Sequence, residues 1–157
     1  MTHSNRNILV VEDNEDDFYL LKWACKKGDL VAEFRHVADG QQAIDYLQGA
    51  SPFSDRKIYP FPQLVLLDLK LPIKHGFSVL EWIRKQFGFH GLIILMLTSS
   101  KEERDIEKAY ALGANAFLVK PSSVDKMAEM MRSVDLFWFQ HNVSQLITSG
   151  SSIRHHA

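Results

Sequence analysis

A single cysteine in 157 residues, Cys25, leaves no possibility of an internal disulfide and points to a reducing compartment. It lies between Ala24 and Lys26 in a helical pattern, the setting of a buried structural thiol. No apolar run approaches the roughly 20 residues a membrane helix needs, and no signal pattern precedes Ile8. A soluble, cytoplasmic protein is the expectation. The formal net charge is −1, so there is no positive excess to hold nucleic acid. Repeats and low-complexity tracts are absent. Histidines are present but scattered: His3, His36, His75, His90 and His141 keep no metal spacing, and His155 and His156 fall in a Ser- and His-rich tail over 142–157. Of five prolines, Pro52, Pro60 and Pro62 crowd one stretch, so 50–62 reads as a long loop pinned by Phe53, Tyr59 and Phe61.

What remains is an ordinary globular composition, 46% hydrophobic, in one domain long enough to bury a core. Four short apolar runs and one weaker run, Ala32 to Ala38 with Phe34 and Val37 apolar, alternate with helical patterns. The runs are Asn7 to Glu12, Ala32 to Ala38, Leu64 to Leu67, Leu92 to Leu97 and Asn115 to Val119. The intervening helices put Leu21, Ala24 and Cys25, then Ala43, Ile44 and Leu47, then Val79, Leu80 and Ile83 on single faces. The fourth helix runs from Lys101 to Leu112, and the fifth, capped by Ser122, reaches about His141. Strands unbroken by polar residues are those of a parallel sheet covered on both faces. The fold class is therefore α/β, a doubly wound five-stranded parallel sheet with five helices in a three-layer sandwich.

The chemistry sits at the strand ends. The first strand runs into Glu12 and Asp13, and the third into Asp68. The fourth ends at Thr98 and the fifth at Lys120. Alone, each has a bland reading: strand-ending acid, strand-end hydroxyl, surface lysine. In the order 2-1-3-4-5, strands one, three and four are neighbours and the groups converge on one edge. Carboxylates this close require a cation, and hard oxygen donors favour Mg²⁺. Such a set suits phosphoryl transfer, with Asp68 as the nucleophile that becomes an acyl phosphate.

The same segments resemble the receiver domains of two-component response regulators from about Ile8 to Phe139. The resemblance is carried by Ile-Leu-Val-Val-Glu-Asp-Asn up to Asn14, and by Leu-Leu-Asp-Leu-Lys-Leu-Pro with Gly76 around Asp68. Leu-Thr-Ser-Ser at Thr98 and Phe-Leu-Val-Lys-Pro ending at Pro121 complete it. It implies Asp68 as phosphoacceptor, Asp13 as a direct Mg²⁺ ligand and Glu12 as a second acid acting through water. It further implies a metal contact from the Lys70 backbone carbonyl, phosphoryl contacts from Thr98 and Lys120, Phe117 as an aromatic that turns inward with Thr98, and a cis Lys120–Pro121 bond. Glu12 stands where Asp is commoner, His75 where Asp or Asn is, and the 50–62 loop is longer than in compact receivers. That loop is similar to those of small stand-alone regulators partnering phytochrome-type and hybrid kinases.

The resemblance implies a receiver domain over 1–141 followed by a flexible tail. The expected function is that of a single-domain response regulator. It accepts a phosphoryl group from a histidine kinase or phosphotransfer protein and signals by protein contact through the fourth helix, fifth strand and fifth helix. It is not an enzyme beyond its own phosphorylation and dephosphorylation. An aspartyl-nucleophile phosphatase would need an acid where Lys70 stands. A flavin or nucleotide binder would not follow its first strand with Glu12 to Asp17. A receiver-shaped binding module that is never phosphorylated stays open as the alternative. On the fifth helix, Val124, Met127, Ala128, Met131 and Val134 form a stripe for the sheet, whereas Met130, Phe137 and Phe139 lie off it. That surplus leads to the expectation of a homodimer through 123–141.

Overall fold

A computed structural model describes residues 6–144. Its five strands are β1 (Asn7–Val11), β2 (Glu33–Val37), β3 (Leu64–Leu67), β4 (Ile93–Thr98) and β5 (Ala116–Val119). Five α-helices alternate with them: α1 (Glu15–Lys27), α2 (Gly40–Gln48), α3 (Gly76–Lys85), α4 (Glu103–Ala111) and α5 (Val124–Val134). All pairings are parallel, in the order β2-β1-β3-β4-β5. This is the flavodoxin-like arrangement expected from the alternation of elements.

The pleat divides the core into two layers. Leu9, Val11, Val65 and Leu67 face one side and pack with Ala43, Leu47, Val79, Leu80 and Ile83 of α2 and α3. Ile8, Val10, Leu64 and Leu66 face the other and pack with Leu21, Ala24 and Cys25 of α1 and Met127, Ala128 and Met131 of α5. Between Asn7 at the start of β1 and Thr98 at the end of β4 the central strands are apolar, because alternate residues feed different layers, each buried apolar side chain contributing about 2 kcal/mol. Cys25 is buried there, and loss of solvation pushes its thiol up to about 12.

Local chemistry sets the helix ends. Asn14, Asp39 and Ser123 cap α1, α2 and α5, each accepting from the N–H three residues on. The α5 cap is thus Ser123, not Ser122; the equivalent hydroxyls are neighbours, and the one three residues before Lys126 meets its free N–H. Gly49 ends α2 with φ 70, a conformation that costs glycine little.

The 50–62 stretch holds no helix or strand. Phe53 packs tilted and Tyr59 edge-on against Tyr46, whose hydroxyl donates to the Pro60 carbonyl at 2.9 Å. Arg56 donates to the last carbonyls of α2, Tyr46 at 2.8 Å and Leu47 at 3.0 Å. Among the described residues the cis peptide bond is Ser51–Pro52. Lys120–Pro121, expected cis, is trans, either isomer being accessible to an X–Pro bond.

The last helix also differs from expectation. Regular α-helix stops at Val134, and Asp135–His141 continues as a π-helix. The extra residue per turn rotates the segment so that Trp138 and Phe139 pack against the α1–α5 layer, as Met130 of α5 also does, while Leu136 and Phe137 stay exposed. Met130 and Phe139 are therefore largely absorbed by the fold. Residues 145–157, most of the expected tail, lie outside the described residues.

Candidate functional site

Three strand ends extend their hydrogen-bond ladders one step past the sheet and so aim their next side chains at one place. Glu12 donates its N–H to Val37 at 3.1 Å, Asp68 to Val11 at 3.1 Å, and Lys120 to Thr98 at 2.8 Å. Between them opens a cleft of about 1100 Å³ whose walls include Glu12, Asp13, Asp68, Lys70, Thr98 and Lys120. Six of the seven residues singled out in the sequence are thus brought together. Phe117 is not on the cleft. It belongs to β5 and packs partly buried against the core layer of α2 and α3, its N–H donating to the Tyr110 hydroxyl at 3.2 Å.

Lys120 is the hub. Its Nζ lies 2.6 Å from Glu12 Oε2, 2.9 Å from Asp17 Oδ2 and 2.9 Å from Asp68 Oδ2. The second oxygens of Glu12 and Asp68 are also engaged: Glu12 Oε1 accepts from the Asn14 N–H at 3.0 Å and Asp68 Oδ1 from the Leu69 N–H at 2.7 Å. Thr98 is 2% exposed, and its hydroxyl oxygen accepts at 3.4 Å from the N–H of Ser100. Of the five buried polar or charged side chains among the described residues, three are Glu12, Asp68 and Thr98. Such burial of ionisable groups marks a built site rather than a solvated acidic edge.

Burial is the largest influence on Glu12 and pushes its carboxyl up to about 7; the contacts to Lys120 and Asn14 lower it less, and Asp68 raises it further. For Lys120, burial would depress the ammonium, but the hydrogen bonds to Glu12, Asp17 and Asp68 together outweigh it and raise the pKa. Three contacts under 3 Å hold the ammonium charged, whereas Glu12 shares that cation with Asp17 and Asp68.

Glu12, Asp13 and Asp68 each bring a carboxylate oxygen within 4.8 Å of the others. Glu12, Asp17 and Asp68 contact one ammonium, and Asp13 stands beside Glu12 and Asp68. The donor set is all hard oxygen and anionic, which fits Mg²⁺ or Mn²⁺. Asp13 is the exposed member, and the Lys70 carbonyl belongs to the loop leaving Asp68.

The β3–α3 turn holds Asp68 in place by backbone contact. A Cβ on Gly76 would come within 2.2 Å of the Asp68 carbonyl oxygen, so only glycine allows this approach. His75 caps α3 through Nδ1, which accepts from the Phe77 N–H at 3.2 Å. His36 accounts for another of the scattered histidines: its ring stacks on Phe18 at 4.0 Å and its Nε2 lies 2.6 Å from the Glu12 carbonyl. Sequence reasoning missed Asp17, which reads there as one of three first-turn acids complementing the α1 dipole. Its one distinguishing signal is its place on the helix turn that faces the end of β1.

Comparison with known proteins converges on one family. The model of the response regulator receiver domain matches residues 8–132. Response regulator Rcp1 of Synechocystis is 31% identical over 133 residues, 85% of this chain and 88% of the relative. A response regulator in red light signaling of R. palustris superposes with a TM-score of 0.84 at 34% identity, covering 88% of this chain and 97% of that one. The phosphorylated cyanobacterial phytochrome response regulator RcpA gives 0.81 at 28% identity, covering 90% and 99%. Rcp1 is also known in a Mn²⁺-bound form, with a TM-score of 0.77 at 29% identity over 89% and 99%.

Proposed function

Because the chain belongs to the family of response regulator receiver domains, we propose that it is a single-domain response regulator phosphorylated on Asp68. The observation that carries this reading is the Lys120 ammonium 2.9 Å from Asp68 Oδ2, beside the acidic cluster of Glu12 and Asp13. The donor is a phosphohistidine of a histidine kinase or phosphotransfer protein. An Asp68 oxygen attacks phosphorus, the P–N bond breaks, and its electron pair returns to the donor imidazole. Lys120 and the Thr98 hydroxyl take the phosphoryl oxygens. Glu12, Asp13, Asp68 and the Lys70 carbonyl would hold Mg²⁺, which when bound neutralises charge between carboxylates and phosphoryl group. The protein catalyses only this self-modification and its reversal.

The receiver unit spans 1–141, with 142–157 appended. Output is a switch of the α4–β5–α5 face through Thr98 and Phe117, read by a partner protein. A homodimer through 123–141 is part of this reading, supported by the exposed Leu136 and Phe137. The relatives described in phytochrome and red-light contexts support a kinase of that type as donor. A cytoplasmic location is supported by the reduced, buried Cys25; no helix among the described residues is long and apolar enough to cross a membrane.

The test is brief exposure to phosphoramidate with Mg²⁺, followed by intact mass and peptide mapping. One phosphoryl mass on Asp68, absent in Asp68→Asn and in excess chelator, is expected. A wild-type chain left unmodified by phosphoramidate and acetyl phosphate alike would leave a receiver-shaped binding module instead.

A further inference from the structure

We infer that Asp17 is a positioning residue for the phosphoryl transfer, acting through Lys120; the inference rests on the phosphoacceptor reading above. An ammonium has three N–H donors, and the three contacts on Lys120 Nζ use them all: Glu12, Asp17 and Asp68. When an Asp68 oxygen carries the phosphoryl group, the N–H it held is released. The other two, kept by Glu12 and Asp17, fix where that third N–H points, and it points at the phosphoryl oxygens. Lys120 is otherwise a four-carbon stem with freely rotating donors, and one acceptor alone would not orient it.

Asp17 is suited to this by its placement. It stands in the first turn of α1, its own N–H bonded to the capping Asn14 side chain at 3.0 Å, so its backbone is fixed relative to Glu12. Its carboxylate lies outside the cluster formed by Glu12, Asp13 and Asp68. The acids of the site thus divide: one group for a divalent cation, and Asp17 for the ammonium alone. With 39% side-chain exposure against 9% for Asp68, Asp17 can be altered while Glu12 and Asp68 still pair the Lys120 ammonium.

The experiment compares Asp17→Ala and Asp17→Asn with wild type, by the rate of phosphoramidate uptake and by the side-chain ammonium resonance of Lys120 in the resting protein. The amide oxygen of Asn still accepts from the ammonium, whereas Ala offers nothing. Uptake by Asp17→Ala should slow roughly tenfold, the scale of one charge-assisted contact, while Asp17→Asn stays close to wild type. The ammonium resonance should lose its exchange protection in Asp17→Ala and keep it in Asp17→Asn, with unchanged melting temperatures. Uptake and protection in Asp17→Ala equal to wild type would overturn the inference. So would equal losses in both variants, or faster uptake in either, since these assign the effect to charge and not to aim. If wild type takes up no phosphoryl group, the phosphoacceptor reading fails, and the Lys120 resonance still decides the role of Asp17.

Discussion

The backbone N–H of Lys120 donates to the carbonyl of Thr98 at 2.8 Å, so the ammonium and the hydroxyl that flank Asp68 are carried on two strand ends fastened to each other. The same pair of strands sets Met96 opposite Phe117, and Phe117 in turn donates to the Tyr110 hydroxyl of α4. A displacement of Thr98 has a short mechanical route to the α4–β5 surface.

From this linkage, beryllofluoride with Mg²⁺ is expected to shift amide resonances from Ala109 to Phe117 as well as those around Asp68. Thr98→Ala should leave the shifts near Asp68 and largely abolish the distal ones. Changes confined to the neighbourhood of Asp68 in the wild type would rule out the switch, because a ligand moves an equilibrium only through differential contact with its two states.

The elevated Glu12 carboxyl makes stability depend on pH in a definite direction. Its folded value, about 7, exceeds the ordinary 4.5, so the folded protein binds this proton more tightly than the unfolded chain. The stabilisation is complete below about 4.5 and is lost as pH rises through about 7. Lys120, with its raised pKa, contributes throughout that window and does not change the sign. Denaturant unfolding in chelator should therefore show Glu12→Gln gaining on wild type between about pH 5 and pH 8. Mg²⁺ should narrow the gap at the upper end by binding the folded wild type. A gap that closes as pH rises would contradict the assignment.

The strand order and both core layers were legible because continuous apolar strands and helical stripes such as Ala43, Ile44 and Leu47 leave few ways to bury themselves. The site was legible for the same reason: Glu12, Asp68, Thr98 and Lys120 each end an apolar run, and the topology collects run ends. Asp17 was not, since its contact with Lys120 spans over a hundred residues of sequence, and two neighbouring acids, Glu15 and Asp16, share its local explanation. The π-helix at 135–141 was hidden because an apolar segment such as Leu136 to Phe139 satisfies several helical periods equally.

The turn after Asp68 should respond oppositely to two substitutions. Gly76→Ala places a Cβ within 2.2 Å of one backbone atom and 2.7 Å of another, and should cost about 3 kcal/mol in urea unfolding. Ile73 holds φ 67 and is 78% exposed, a β-branched residue in a conformation Asn tolerates better. Ile73→Asn should raise stability by roughly 1 kcal/mol. A loss on Ile73→Asn would mean the turn is unstrained.

Self-association can be separated from folding because the π-helix splits the terminal aromatics. Phe139 packs on the α1–α5 layer beneath the Arg6 guanidinium, itself paired with Asp135, so Phe139→Ala removes core and should lower stability by about 3 kcal/mol. Phe137 is 53% exposed beside Leu136 and leans edge-on against Trp138 at 4.7 Å, which costs the monomer little to lose. An interface anchored on Phe137 would forfeit on the order of 2 kcal/mol per truncated aromatic, some thirtyfold in dissociation constant. Sedimentation equilibrium with and without beryllofluoride should then find wild type dimeric at micromolar concentration and Phe137→Ala monomeric with an unchanged urea midpoint. A wild-type monomer under both conditions excludes the dimer. A Phe137→Ala variant that dimerises normally moves the interface away from this helix, because no other large apolar side chain on it, Leu136 apart, is free to serve.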